Sequence, residues 1–99
     1  MFVSAGWCDQ CVANDLLFAR AAETDQIFVV CAACGTAGMD AGSCGKHISD
    51  THHQLAPFGW TLATRNDVIR AGLTEKISGD ASRSYAELIN WYPGFMRDA

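Results

Sequence analysis

The sequence predicts a small α+β protein: a metal-held β-hairpin followed by a glycine-rich loop, a strand and two short helices. Two observations lead to this prediction. Two CxxC pairs bracket a pair of short apolar runs, and helix-capping motifs recur in the second half of the chain. The chain has 99 residues, of which 49% are hydrophobic. It is therefore long enough for one core, but a core of this size leaves little stability to spare.

Four cysteines in the first third of the chain are spaced as metal ligands. Cys11 and Cys31 are separated by 19 residues, a spacing typical of zinc sites built from two CxxC pairs. A CxxC turn directs two sulfurs to one side of a tight bend, and the β-prone runs between the pairs predict a strand–turn–strand hairpin. Zinc binds four thiolates in a tetrahedron. The sequence therefore predicts one structural Zn²⁺ ion held by Cys8, Cys11, Cys31 and Cys34.

The two CxxC segments, Trp7–Cys11 and Val30–Gly35, resemble the knuckles of the zinc-ribbon (rubredoxin-like) class. The resemblance covers the first third of the chain and implies two knuckles, a β-hairpin and a structural ion. Gly35 suits the second knuckle because glycine readily adopts a left-handed conformation there. Val12 stands at the matching place in the first knuckle, whereas both knuckles of iron-carrying rubredoxins end in glycine. The class includes transcription factors, ribosomal proteins, chaperone modules and enzyme appendages, so the resemblance implies no particular activity.

The second stretch, 36–53, is predicted to be a glycine-rich loop without apolar periodicity. Cys44 and His47 are spaced as CxxH, and His52 and His53 follow. These residues could hold a second zinc ion or supply a nucleophile and its base. The simpler alternative is a small loop residue beside surface histidines. No nearby acid completes a catalytic set, and four thiolates leave a zinc ion no open position, so we expect a protein that is not an enzyme.

The third stretch, 54–99, is predicted to form an α+β extension that packs on the hairpin region 1–35 in a single compact unit. Residues 59–63 alternate apolar and polar side chains, as in a half-buried strand. A first helix should begin at Thr64 and end at Gly72. A second helix is predicted from Ser84 onward. Ser84 and Glu87 form a capping box, and one apolar face consists of Tyr85, Leu88, Ile89 and Tyr92.

Charge and aromatic content predict a protein partner. The formal net charge is -4, and no cluster of Lys and Arg is visible, which argues against nucleic-acid binding. Trp91, Tyr92 and Phe95 lie close together near the end of the sequence. Aromatic residues are enriched at interaction hot spots, so these three residues are the predicted partner-binding group. Packing into the core is the alternative for the same residues.

The predicted compartment is the cytoplasm. The chain has 5 cysteines, an odd number arranged as two CxxC pairs and a singleton, which fits a reducing environment. No apolar run approaches the roughly 20 residues needed to cross a membrane, and the first residues lack a signal-peptide pattern.

The expected function is a zinc-binding protein-interaction module, such as a small inhibitor, an immunity-type protein or an adaptor. Two alternatives remain: a transcription- or nucleic-acid-associated zinc ribbon, and a small Cys/His enzyme that uses Cys44.

Overall fold

The computed structural model describes residues 3–8, 15–31, 34–40, 45–80 and 95. This part of the chain forms an antiparallel sheet and two short α-helices, which agrees with the predicted α+β class. The elements in chain order are β1 (Val3–Trp7), β2 (Asp15–Ala21), β3 (Ile27–Cys31), β4 (Thr36–Gly38), β5 (Lys46–His47), α1 (Ile48–Leu55), β6 (Trp60–Leu62), α2 (Arg65–Arg70), a 3₁₀ turn (Thr74–Lys76) and β7 (Gly79–Asp80).

Strand β2 lies at the centre of the sheet. Among the described strands the order is β5-β4-β3-β2-β1-β7, and β6 also pairs with β2. The first half of β2 pairs with β1 and its second half with β6, so these two strands share one side of β2. On the other side, β2 and β3 form the hairpin predicted between the CxxC pairs, with register from Leu16↔Cys31 to Arg20↔Ile27. The hairpin therefore brings Cys31 next to the start of β2.

The hairpin strands are apolar on both faces because both faces of the sheet are covered. Leu17 and Phe28 pack with Ile48 of α1 and with Trp60 on one face. The alternate residues, such as Phe18, pack on the other face with a group that includes Val68 of α2. This period of two is the side-chain geometry of a strand. A strand covered on both sides reads as a continuous apolar run rather than an alternating one.

Helix α2 has the boundaries that its sequence predicts. Its N-terminus is a capping box, in which the Thr64 side chain accepts a hydrogen bond from the Asp67 backbone N–H and the Asp67 carboxylate accepts one from the Thr64 N–H. At its C-terminus Gly72 has φ 77°. The N–H groups of Gly72 and Leu73 donate to the carbonyls of Ile69 and Val68, which is a Schellman motif.

The stretch 36–53 is not the loop that its glycines predict. It contains β4, β5 and most of α1. Helix α1 forms because Ile48, Thr51 and Leu55 lie on one helical face, where the first two are buried, and because the His47 side chain caps the N-terminus. The closely spaced glycines of this stretch indicated a loop, and the apolar pattern of α1 is too short to indicate a helix against them. Strand β1, which precedes the first CxxC pair, was also not predicted from the sequence.

Two further predictions have different outcomes. The strand predicted within 59–63 is present as β6. The helix predicted to begin at Ser84 lies outside the described residues. Within the described part of the chain, no helix is both long enough and apolar enough to cross a membrane.

Candidate metal centre

Three cysteine sulfurs meet at one end of the sheet. Cys8 follows the last residue of β1, Cys31 is the last residue of β3, and Cys34 lies in the turn that leads into β4. Strands β1 and β3 flank β2 and run antiparallel to it, so both deliver their final residues beside the start of β2. The three Sγ atoms all lie within 4.8 Å of one another. Residues 26 positions apart in the chain, Cys8 and Cys34, approach to 3.6 Å between sulfurs.

The spacing of the sulfurs suits a tetrahedral metal ion. A zinc ion with Zn–S bonds of about 2.3 Å separates its sulfur ligands by roughly 3.8 Å. The separation of 3.6 Å between the Cys8 and Cys34 sulfurs is close to that value. None of these three cysteines is in a disulfide. Thiolates are soft ligands that select zinc and iron–sulfur centres over magnesium or calcium. The three cysteines can therefore hold a metal ion.

The three clustered cysteines are largely shielded from solvent. Cys8 and Cys31 are 0% exposed, and Cys34 is half-buried. Neutral thiols tolerate such burial, whereas thiolates at this place would need a bound cation to balance their charge. Among the described residues, the group of side chains that could share a metal ion here consists of these three cysteines. Cys11, the fourth predicted ligand, lies outside the described residues.

A backbone hydrogen bond links the two ends of the second CxxC segment. The Gly35 N–H donates to the Cys31 carbonyl oxygen at 2.8 Å, which closes the turn that carries Cys34. Gly35 has φ 77°, a left-handed conformation that disfavours residues with a side chain. Gly35 therefore adopts the left-handed conformation that the sequence predicts for it.

The histidines of the predicted second site lie at the two ends of α1. His47 caps its N-terminus, and His52 and His53 lie in its last turn with ring centroids 3.9 Å apart. Burial, and then the neighbouring His53, lower the pKa of His52 below its ordinary value. Cys44 lies outside the described residues. A second zinc site that includes Cys44 stays a prediction.

The predicted partner-binding group is described at one position. Phe95 is half-buried, forms a parallel bridge with Trp60 and packs its ring edge-on against the Trp60 indole at 5.1 Å. Trp60 also meets Phe28 edge-on at 5.6 Å. The Phe95 ring thus extends the aromatic core on the α1 face of the sheet. Trp91 and Tyr92 lie outside the described residues, and a partner-binding role for the group stays a prediction.

The packing of His47 against Gly35 was not predicted from the sequence. A β-carbon built on Gly35 would lie 2.6 Å from Cδ2 and 2.9 Å from Cε1 of His47, and closer still to its Nε2. This contact depends on the pairing of β4 with β5. The only sequence signal was the position of His47 directly before an Ile48–Thr51–Leu55 helical face.

Comparison of the chain with protein-family models, with curated proteins and with solved structures gives no match. The candidate function therefore rests on the geometry of the cysteine cluster and on the surfaces around it.

Proposed function

We propose that this chain is a zinc-stabilised protein-interaction module of the zinc-ribbon kind. One zinc ion is held by Cys8, Cys31 and Cys34, with Cys11 as the fourth thiolate. The observation that carries the proposal is the convergence of three sulfurs, from the ends of two strands and the following turn, to within 4.8 Å. Zinc is preferred because a closed set of four thiolates is a common structural zinc site.

The proposed role of the ion is to fasten the sheet. Cys8 directly follows β1, and Cys31 is the last residue of β3. These two strands are not hydrogen-bonded to each other, because β2 lies between them. An ion bound to both residues would cross-link β1 to β3 across β2. Metal binding to a site that exists only in the folded chain adds its binding free energy to folding. For a chain with one small core, that contribution is large relative to the typical net stability.

The same ligand set supports a structural rather than a catalytic ion. Catalytic zinc keeps an open position for water or substrate, whereas four thiolates fill the tetrahedron. The interaction role is therefore assigned to the surfaces that the ion holds in place. Those surfaces include an exposed acid in the β2–β3 turn, Glu23, and the exposed Met39 beyond β4. A protein partner with basic and apolar groups would complement them.

Cobalt substitution tests the metal half of the proposal. Co²⁺ titrated into metal-free protein should produce the intense visible bands of tetrahedral coordination and sulfur-to-metal charge-transfer absorption. Zinc should then displace the cobalt and remove both. The Cys8→Ser variant should lose charge-transfer intensity, whereas the Ser78→Ala variant, which alters an exposed residue outside the ligand set, should keep it. Octahedral cobalt spectra in the parent protein would refute the thiolate centre.

Affinity capture from the native cell, in a cytoplasmic extract treated with nuclease, tests the interaction half. The proposal expects one or a few proteins recovered at stoichiometric yield, and less of each with zinc-depleted bait. Recovery of nucleic acid from an extract without nuclease, in a yield that falls as the salt concentration is raised, would instead favour the nucleic-acid-associated ribbon. An activity that is lost when Cys44 is alkylated would favour the Cys/His enzyme.

A further inference from the structure

The ring of His47 covers the backbone of the second knuckle. Gly35 is buried, and the His47 ring fills the position that a side chain on residue 35 would take. The ring atom nearest to that position is Nε2. His47 is placed there by the pairing of β5 with β4, in which it lies opposite Thr36. A histidine 13 positions after Cys34 therefore packs on the residue that directly follows this ligand.

The orientation of the His47 ring is fixed from its other side. The backbone N–H of Ser49 donates to His47 Nδ1 at 3.1 Å, and the Ser49 hydroxyl lies 2.8 Å from the same nitrogen. A backbone N–H can only donate, so Nδ1 is the acceptor. In the neutral ring the proton is then on Nε2, the nitrogen that lies over Gly35. The helix cap thus selects the tautomer and directs the Nε2 edge of the ring toward the knuckle.

Backbone hydrogen bonds also connect Gly35 to the end of β3 and to the start of α1. The Ile48 N–H at the start of α1 donates to the Gly35 carbonyl at 2.7 Å, and the Gly35 N–H donates to the Cys31 carbonyl at 2.8 Å. The Thr51 hydroxyl donates to the His47 carbonyl at 3.2 Å. The turn that carries Cys34 is therefore held between the end of β3 and the first turn of α1. Cys34 is the most exposed of the three clustered cysteines, and it lies in the turn that this network holds.

We infer that His47 is a positioning residue of the metal centre, which clamps the second knuckle and sets the geometry of Cys34. This inference rests on the proposed metal site. Groups that orient metal ligands from outside the coordination shell typically change metal affinity by about tenfold to a hundredfold when they are removed. His47 is such a group, and it couples the formation of α1 to the binding of the ion.

The first test compares two Asn substitutions on one helix. His47→Asn keeps a side-chain acceptor for the Ser49 N–H, since Asn is a good N-cap, but removes the ring from Gly35. His53→Asn makes the same change at an exposed position in the last turn. Zinc affinity is measured by chelator competition, and the cobalt spectrum reports ligand geometry. We expect His47→Asn to weaken zinc binding about tenfold or more and to shift the cobalt bands. We expect His53→Asn to match the parent protein.

The outcomes separate the inference from the proposed function. Parent protein that binds no metal would contradict the proposed function. Parent protein that binds zinc, with His47→Asn indistinguishable from it in affinity and cobalt spectrum, would overturn the positioning role alone.

A double-mutant cycle tests the His47–Gly35 contact in metal-free protein as well. Gly35→Ala should lower the midpoint of thermal unfolding, because the new methyl group meets the ring and because the left-handed backbone disfavours alanine. Adding His47→Ala should recover part of that loss by removing the ring, while the backbone cost remains. If the two single effects simply add, the ring does not pack on the knuckle and the inference fails.

Discussion

The sulfur of Cys8 lies 3.6 Å from that of Cys34, although β2 and β3 separate the two residues in the chain. Cys8 follows β1, Cys34 lies in the turn before β4, and Cys31 at the end of β3 completes the group. A metal ion at this point would tie together segments that backbone hydrogen bonds do not join directly.

Removal of the metal should loosen the whole sheet. Stripping the ion from loaded protein with a chelator is expected to lower the midpoint of thermal unfolding by at least about 10 °C, because the cross-link between β1 and β3 is lost. Amide exchange in β1 should accelerate in parallel. Scanning calorimetry and hydrogen exchange measure the two effects, and zinc added back should restore both. Equal midpoints with and without metal would argue against a structural ion.

Asp67→Asn should weaken α2 in a pH-dependent manner. Burial raises the pKa of Asp67, but hydrogen bonds from Thr64 and the charges of Arg20 and Arg70 outweigh that effect, so the pKa of Asp67 lies below its ordinary value. The carboxylate therefore stabilises the fold above the unfolded-state pKa, and this stabilisation is lost as the pH falls through the lower folded-state pKa. We expect a cost of about 1 kcal/mol at neutral pH.

Denaturant titration of metal-free Asp67→Asn and parent protein between neutral pH and pH about 3 checks this prediction. Glu75→Gln, which removes the same charge at an exposed position, is the matched control. A difference from the parent that stays constant down to the most acidic pH would contradict the assignment of the cap to the ionised Asp67.

Phe95→Ala should destabilise the aromatic core on the α1 face. The half-buried ring packs edge-on against Trp60, so its truncation is expected to cost about 2 kcal/mol, roughly half the cost for a fully buried Phe. Phe58 is 60% exposed and supplies the control, since Phe58→Ala should change stability by less than about 0.5 kcal/mol. Chemical unfolding measures both variants. If Phe95→Ala were as stable as Phe58→Ala, a core role for Phe95 would be wrong.

His53→Gln should raise the pKa of His52 toward its ordinary value. Burial is the larger cause of the lowered pKa and remains in the variant, but the charge of His53 is removed. The direction of the change therefore follows from like-charge repulsion between rings 3.9 Å apart. NMR titration of the His52 ring protons in the parent and the variant gives the shift directly. An unchanged or lower pKa in the variant would show that the rings do not interact as described.

Local signals in the sequence predicted local structure well. Thr64, Asp67 and Gly72 define the ends of α2, because capping depends on hydrogen bonds among residues a few positions apart. The spacing of the cysteines likewise predicted that Cys31 and Cys34 would lie with Cys8, since a hairpin fixes which strand ends meet. These predictions needed no knowledge of distant packing.

Features that depend on distant pairing could not be predicted from the sequence. The His47 ring reaches Gly35 only because β5 pairs with β4 and α1 begins at the next residue. The glycine spacing of this stretch indicated a loop, whereas tertiary contacts at Ile48 and Thr51 stabilise a helix of 8 residues. Strand β1 also gains its partners from β2 and β7, which lie later in the chain.

The zinc content of the purified protein tests the central claim most directly. Zinc is measured by elemental analysis in the parent protein and in two variants, each purified with the metal that it acquired in the cell. Cys31→Ser removes a proposed ligand, and Cys44→Ser removes a cysteine outside the proposed ligand set. We predict about one zinc ion per chain in the parent and in Cys44→Ser, and loss of zinc in Cys31→Ser. Parent protein without metal, a red iron chromophore, or full zinc retention in Cys31→Ser would contradict the account.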